Sequence, residues 1–165
     1  IVFSGVYVII VYYMTGQPMQ ADRILMFTTI NILTALVAQS IGLLIGAAMN
    51  IETGVYLGPV TTIPVVLFSG FFVHFKAIPS YLQWLTYVSY VRYGFEGAMV
   101  SVYGYGRGKL NCSEAYCHFR TPSMFLKEMN MDKAVFWVDA VALCGFFISI
   151  RVISYLVLRF KLKMM

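Results

Sequence analysis

Long stretches without a charged side chain alternate with short polar connections along this chain. The charge-free stretches predict membrane-crossing helices over residues 24–49 and 54–74, and a third apolar stretch, which carries only Asp139 and Arg151, predicts one over residues 134–158, because about 20 apolar residues are needed to cross the hydrocarbon of a bilayer. Residues 1–14 are equally apolar and are followed by Thr15-Gly16-Gln17-Pro18, which ends the helical pattern. They predict a further span that is truncated at its N-terminal side.

The connections between these segments add to the predicted topology. Only a short polar link separates residues 24–49 from residues 54–74, so the pattern predicts an antiparallel helical hairpin. The chain opens on an apolar run that has neither an initiator methionine nor the basic region of a signal peptide. We therefore expect it to be part of a longer protein.

Residues 79–102 show a different pattern. Tyrosine and tryptophan recur there at nearly helical spacing after Pro79, and Lys76 and Arg92 flank a charge-free segment too short to cross the bilayer. Because aromatic side chains with a polar tip favour the membrane–water interface, the pattern predicts one or two re-entrant or interfacial helices. A short buried span is the alternative.

Residues 103–133 form the most polar stretch and bear on orientation. Asn111 begins a sequon for N-glycosylation, and Cys112 and Cys117 could pair only in an oxidising compartment. Both features favour an extracellular loop, although the basic residues of this loop outnumber those of the C-terminal tail. We place residues 159–165 in the cytosol as a basic tail.

Composition excludes several classes of protein. Of the 165 residues, 60% are hydrophobic and 12% are charged, and the mean hydropathy is +0.78, whereas soluble domains carry about 25% charged residues. The sequence therefore predicts an all-α polytopic membrane protein with the lipid bilayer as its solvent. The net charge of +5 is scattered along the chain, so no nucleic-acid partner is expected.

No catalytic or metal-binding constellation is present in the sequence. The glycine-rich segment Gly104–Lys109 lacks the glycine spacing and the following Ser or Thr of a nucleotide-binding loop, so we expect a flexible loop without a phosphate role. His74 and His118 have no ligand spacing for a metal. We expect neither a catalytic residue nor a metal ligand here.

Some polar residues fall in or beside the predicted spans. Arg92 and Glu96 are four residues apart, which predicts a structural ion pair on a helix. Asp139 is expected at the membrane interface. Arg151 is expected either to extend to the cytosolic headgroups or to pack and orient its helix. Cys144 lies within an apolar run and is expected to be a small core residue.

Two features of the first hairpin bear on assembly and transport. Ala38, Gly42 and Gly46 form a small-residue stripe that permits close helix packing, within one chain or between two chains. The span 54–74 is interrupted by prolines and glycines, as are helices that line transport pathways. The pair Phe71-Phe72 follows the second interruption and suits an apolar plug, so an apolar or amphipathic cargo fits better than an ion.

Four segments together resemble one family. They are Tyr12–Pro18, Leu67–Val73, Tyr90–Gly97 and Phe146–Arg151. They resemble the White-type (G-subfamily) ATP-binding cassette half-transporters, and most of all the sterol-exporting branch. The resemblance covers essentially the whole chain and implies the second half of a six-helix membrane domain.

The resemblance also implies a function and a set of residues. It implies a sterol or lipid exporter that acts as a homodimer or heterodimer, in the plasma or an endosomal membrane, with ATP and Mg bound by a nucleotide-binding domain absent from this sequence. Ile63 and Val66 would face the cargo cavity at the dimer axis, Phe71 and Phe72 would form the plug, and Cys112 and Cys117 would form a disulfide.

Other functions remain open at the level of sequence. Within the same family the cargo could be a pigment precursor or a xenobiotic, because an apolar wall discriminates poorly between apolar molecules. A non-transporting membrane scaffold or a channel subunit is the alternative of another class. No predicted span carries the ring of polar or charged residues that a channel pore requires.

Overall fold

The computed structural model describes residues 2–17, 19–70, 83–110, 120–131 and 134–164, and every regular element in these ranges is helical. The helices are α1 (Val2–Met14), α2 (Ala21–Ala48), α3 (Ile51–Leu67), α4 (Gln83–Val88), α5 (Tyr90–Tyr103), α6 (Pro122–Glu128) and α7 (Phe136–Met164). The all-helical fold that the sequence predicted is confirmed for the described part of the chain.

Two of the described helices are apolar and long enough to cross a bilayer. These segments are Ala21–Ala48 and Phe136–Lys163, with 28 residues each. A helix of this length measures about 42 Å, so it crosses a hydrocarbon layer of about 30 Å with tilt or with its ends in the headgroups. The described helix α3 has 17 residues, and the predicted span 54–74 runs into residues 71–82, which lie outside the described residues.

The other boundaries refine the predicted segments. Residues 79–102 were expected to hold one or two helices, and the described part of this region holds the short α4 and the longer α5, separated at Ser89. The polar region 103–133 contains α6, which the sequence pattern did not indicate. Helix α7 continues through most of the predicted tail 159–165 and ends at Met164.

The core lies where α2, α5 and α7 meet. Helix α2 packs against both α5 and α7, and α5 also packs against α7. Ile30 and Val37 on α2 are seven residues apart, as are Phe136 and Leu143 on α7, and all four are buried together. Seven residues are two helical turns, so each pair lies on one face and builds a continuous seam.

Helices α2 and α7 run in the same direction. Near their N-terminal ends, Ile30 and Asp139 both contact the position of Gly97 on α5. At their C-terminal ends, the Lys161 ammonium donates a hydrogen bond to the carbonyl oxygen of Ala47 at 3.0 Å. A cation at this place also interacts favourably with the negative, C-terminal end of the α2 helix dipole.

Candidate functional site

Helix α3 presents an apolar face that the other described residues do not cover. No residue of α3 is buried, although the helix is as apolar as the spans around it. Exposed residues occur on most sides of this helix, and four large apolar ones among them recur at intervals of four, three and four residues, which places them on one face. We call this face the α3 stripe; it consists of Tyr56, Val60, Ile63 and Leu67.

The backbone of α3 is interrupted and then fixed at its C-terminal end. Pro59 and Pro64 lie inside the helix, and each removes one backbone hydrogen bond. The Ser89 hydroxyl, between α4 and α5, donates to the carbonyl oxygen of Val65 at 2.7 Å. The Ser69 hydroxyl donates to the carbonyl oxygen of Val66 at 2.7 Å. The end of α3 is thereby tied to the α4–α5 segment.

The predicted cavity residues lie on this helix. Ile63 belongs to the α3 stripe and is 58% exposed, while Val66 is half-buried at the edge of the stripe. An exposed isoleucine on an apolar helix is available to cargo, to lipid or to a second copy of the chain. The predicted plug residues Phe71 and Phe72 lie outside the described residues.

A polar cluster sits beside this face, around Arg92 of α5. The guanidinium donates to the Thr86 hydroxyl of α4 at 3.2 Å, and its Nε lies 3.7 Å from Oε2 of Glu96. The guanidinium carbon also stands 4.8 Å from the centre of the Tyr87 ring. The contacts with Thr86 and Tyr87 join α4 to α5, while the ion pair with Glu96 lies within α5. The structural role predicted for the pair Arg92–Glu96 stays a prediction.

Asp139 of α7 completes the cluster. It is only 4% exposed, and it lies within electrostatic range of both Glu96 and Arg92. Its Oδ2 has no hydrogen-bond partner among the described residues. Asp139 lies in the first turn of α7, and its carboxyl is covered because α5 approaches α7 closely. Its expected position at the membrane interface stays a prediction.

Two glycines of α5 make this close approach geometrically feasible. A Cβ atom at Gly94 would overlap the Thr34 side chain of α2, and a Cβ atom at Gly97 would lie 2.7 Å from Cγ1 of Ile30. The same atom at Gly97 would be 3.5 Å from Cβ of Asp139. Glycine at these positions lets three helices meet with backbone close to side chain, as is common between helices in membranes.

The predicted small-residue stripe lies on a different face of α2. Ala38, Gly42 and Gly46 are all exposed in this chain, and a Cβ atom at Gly42 or Gly46 would meet no atom within 4 Å. Among the described residues, the stripe therefore has no close partner helix. Its role in packing between chains or with other segments stays a prediction.

Three further predictions concern residues outside the cluster. Cys144 is exposed rather than part of the core, because the core seam of α7 runs through the neighbouring Leu143. Arg151 is exposed, with its guanidinium carbon 5.2 Å from the centre of the Phe147 ring. Asn111, Cys112 and Cys117 lie outside the described residues.

Sequence reasoning missed a second set of contacts at the opposite end of α5. Arg23 of α2 is 7% exposed and donates to the carbonyl oxygens of Gly104 at 3.0 Å and Tyr105 at 3.1 Å. It also reaches the carbonyl oxygens of Ser101 and Val102, both at 3.3 Å. The sequence pattern did not indicate this role, because an arginine directly before a predicted span is ordinarily interpreted as an anchor at the membrane interface.

Potential metal ligands do not cluster in the part of the chain that the structure describes. No group of three or more His, Cys, Asp or Glu side chains is close enough there to hold an ion. The arrangement is that of a helical scaffold with exposed apolar side chains on several helices, the α3 stripe among them, and with a buried charged cluster between α5 and α7.

Comparison with known proteins places this scaffold in a family. The sequence profile of the ABC-2 type transporter family matches residues 1–103. Protein white of Drosophila melanogaster is 32% identical over 165 residues, which cover 96% of this chain and 23% of that protein. ABC transporter G family member 1 of Dictyostelium discoideum is 28% identical over 162 residues, or 92% of this chain and 20% of that protein.

A third relative matches a shorter part of the chain. The broad substrate specificity ATP-binding cassette transporter ABCG2 of Rattus norvegicus is 36% identical over 95 residues, which cover 56% of this chain and 14% of that protein. The chain thus spans about a fifth to a quarter of the length of the first relatives it matches. Most of each relative has no counterpart in residues 1–165.

Proposed function

Because the chain belongs to the ABC-2 type transporter family and its relatives include G-family and White transporters, we propose that it is the membrane part of an ATP-driven exporter of sterols or other apolar lipids. The α3 stripe carries this proposal. Four apolar side chains on one face of a proline-interrupted helix, all exposed, suit the wall of a cavity for an apolar cargo.

We assign the cavity to the axis of a dimer. The uncovered α3 stripe needs a second surface to close a cavity around it, and a second half-transporter, identical or different, supplies that surface. Ile63 and Val66 are the residues we assign to cargo contact. Phe71 and Phe72 follow α3 in the sequence and are assigned to an apolar plug beyond the cavity.

The energy for transport is assigned to a part of the protein outside residues 1–165. ATP and Mg are bound there by a nucleotide-binding domain, and residues 1–165 contribute no catalytic group. The polar cluster around Arg92 holds α5 against α4 and α7. Through the Ser89 contact, the motion of α3 is thus coupled to that of the α4–α5 segment.

The orientation of the chain is part of the proposal. We place the region 103–133 outside the cell or in an organelle lumen, with Cys112 and Cys117 joined as a disulfide and Asn111 available for glycosylation. The C-terminus then lies in the cytosol, and the protein resides in the plasma membrane or an endosomal membrane. Glycosidase treatment of the full-length protein and of its Asn111→Gln variant tests the orientation: a shift in migration of the parent alone supports it.

Other cargo classes have weaker support. The α3 stripe carries one polar atom, the Tyr56 hydroxyl, so it offers little to a polar pigment precursor. A xenobiotic cargo is favoured by one observation, the similarity to a relative described as having broad substrate specificity. No contact among the described residues specifically favours a scaffold or a channel subunit.

Transport by the full-length protein in proteoliposomes tests the proposed cargo. We expect cholesterol to stimulate ATP hydrolysis and labelled cholesterol to move, whereas tryptophan and the amphipathic dye rhodamine 123 have little effect. Phe71→Ala combined with Phe72→Ala should change both cholesterol responses at unchanged expression. Phe160→Ala, at an exposed site of α7, is the matched control. Stimulation by the dye alone, or a plug variant equal to the parent, contradicts the proposal.

A further inference from the structure

A basic cavity opens where α1, α2 and the glycine-rich segment after α5 come together. Its volume is about 330 Å³, and Arg23, Arg107 and Lys109 are among the residues that line it. No acidic side chain is found among the described residues of its lining. The cavity therefore concentrates positive charge at the end of two apolar helices, at the depth where lipid headgroups lie.

Arg23 contributes its positive charge to this cavity, while its N–H groups donate hydrogen bonds within the protein. Its Nε donates to Oε1 of Gln20 at 2.6 Å, and its other nitrogens donate to the carbonyl oxygens at the end of α5. Carbonyl groups are dipoles without net charge, so the full positive charge of the guanidinium remains and attracts an anion.

Arg107 and Lys109 keep donors for a ligand. One terminal nitrogen of Arg107 donates to Oε1 of Gln17 at 2.9 Å and to the carbonyl oxygen of Val102 at 3.0 Å. Its other guanidinium nitrogens make no hydrogen bond to another described residue. The exposed Lys109 likewise has no partner within the described ranges. A phosphate group suits such donors, because hydrogen bonds between charged groups are the strong ones.

The glycine-rich segment leaves room for the ligand. Gly106 adopts a φ of +67°, which turns the chain back toward α1, and a Cβ atom at Gly106 or Gly108 would meet no atom within 4 Å. Gly108 is not among the described glycines with a positive φ, which are Gly16, Gly70 and Gly106. A side chain at position 108 would therefore enter open space without backbone strain.

An apolar groove lies along the same two helices, α1 and α2. It has a volume of about 130 Å³ and is lined by Tyr12, Tyr13, Met19, Ile24 and Thr28, together with two further residues of α1. Tyr12 in its wall lies within electrostatic range of both Arg23 and Arg107. Both hollows thus involve the α1–α2 region, the polar one at the helix ends and the apolar one along the helices.

We propose that the cavity and the groove together bind one membrane phospholipid, with its phosphodiester at Arg107 and Lys109 and one acyl chain against α1 and α2. Charge complementarity selects this occupant, and it favours an anionic headgroup over a zwitterionic one. The loop is not a nucleotide-binding loop, as its spacing showed, and the lipid site does not depend on which cargo the transporter moves.

Binding of defined lipids to the full-length protein tests this site. We expect native mass spectrometry to show tighter binding of phosphatidylglycerol than of phosphatidylcholine. Lys109→Gln should weaken phosphatidylglycerol binding by about tenfold, the effect of one charged hydrogen bond, and Lys127→Gln, at an exposed site of α6, should not. Gly108→Glu should also weaken it, because its carboxylate repels the phosphate, while the isosteric neutral Gly108→Gln should keep it.

A second arm separates a lipid from a free anion. Thr28→Phe fills the apolar groove and should weaken phosphatidylglycerol binding, and inorganic phosphate should compete poorly because it has no acyl chain. Phosphatidylglycerol affinity that is equal in Gly108→Glu, Lys109→Gln and the parent overturns the proposal. Strong competition by inorganic phosphate, with no effect of Thr28→Phe, also overturns it, because the cavity would then be a site for free anions.

Discussion

The hydroxyl of Ser89 donates a hydrogen bond of 2.7 Å to the carbonyl oxygen of Val65. The contact joins the junction of α4 and α5 to the end of α3, across 24 positions of sequence. Ser89 is only 1% exposed, so neither group has water as a substitute partner. Motion of α3 and of the α4–α5 segment is coupled through this bond.

Removing the Ser89 hydroxyl should loosen α3. We expect Ser89→Ala to lower the free energy of unfolding by about 1 kcal/mol, as for one hydrogen bond, and to lower cargo-stimulated ATP hydrolysis. Thermal unfolding of the full-length protein in detergent measures the first effect. Ser149→Ala is the control, because Ser149 bonds only to Gly145 within its own helix. Equal losses of stability and of stimulated ATP hydrolysis in the two variants would show that the hydrogen bond from Ser89 to α3 contributes no more than a bond within one helix.

The close approach of α5 to α2 should make Gly97 intolerant of a side chain. Gly97→Ala places a Cβ atom 2.7 Å from Cγ1 of Ile30, and we expect a loss of about 1–3 kcal/mol from the resulting overpacking. Ile30→Ala removes the clashing atoms, so the double variant should cost less than the sum of the two single variants.

Gly145 of α7, in contrast to Gly97, should tolerate replacement by alanine. A Cβ atom there meets nothing within 4 Å, and alanine is favoured over glycine in a helix by about 1 kcal/mol. Gly145→Ala should therefore keep or raise the melting temperature. If Gly97→Ala and Gly145→Ala behave alike, or if the Gly97 and Ile30 effects simply add, the packing described here is wrong.

Arg23 should be replaceable by neither lysine nor glutamine. Its planar guanidinium reaches several carbonyl oxygens at the end of α5 at once, whereas an ammonium group has three donors on one atom. We expect both Arg23→Lys and Arg23→Gln to lower the free energy of unfolding, the latter by about 2 kcal/mol or more. The yield of folded full-length protein and its melting temperature provide the measurement.

Arg159→Gln is the matched control for charge. Arg159 is exposed on the last turns of α7, and its loss should leave stability nearly unchanged. A melting temperature that falls as far in Arg159→Gln as in Arg23→Gln would show that net charge, and not the contact with α5, determines the effect.

The sequence predicted the parts of this fold that depend on local pattern. The long apolar stretches located α2 and α7, and the spacing of Arg92 and Glu96 brought these residues together on α5. Tertiary packing was not encoded locally: the burial of Asp139 depends on the close approach of α5 at Gly97, which is far away in the sequence. The guanidinium of Arg23 donates to carbonyl oxygens of residues 101–105. These residues are so far from Arg23 in the sequence that the helical periodicity does not predict the contact.

The uncovered α3 stripe is the basis of the proposed transport function, and a substitution on it provides the most direct test. Cholesterol-stimulated ATP hydrolysis is measured for the full-length parent, for Ile63→Trp and for the control Ile153→Trp, which alters an exposed isoleucine of α7. We expect Ile63→Trp to lower the stimulation by about tenfold, since a bulky ring narrows an apolar cavity, while unstimulated hydrolysis and the control stay near the parent. Stimulation in Ile63→Trp equal to that of Ile153→Trp would contradict the assignment of α3 to the cargo cavity.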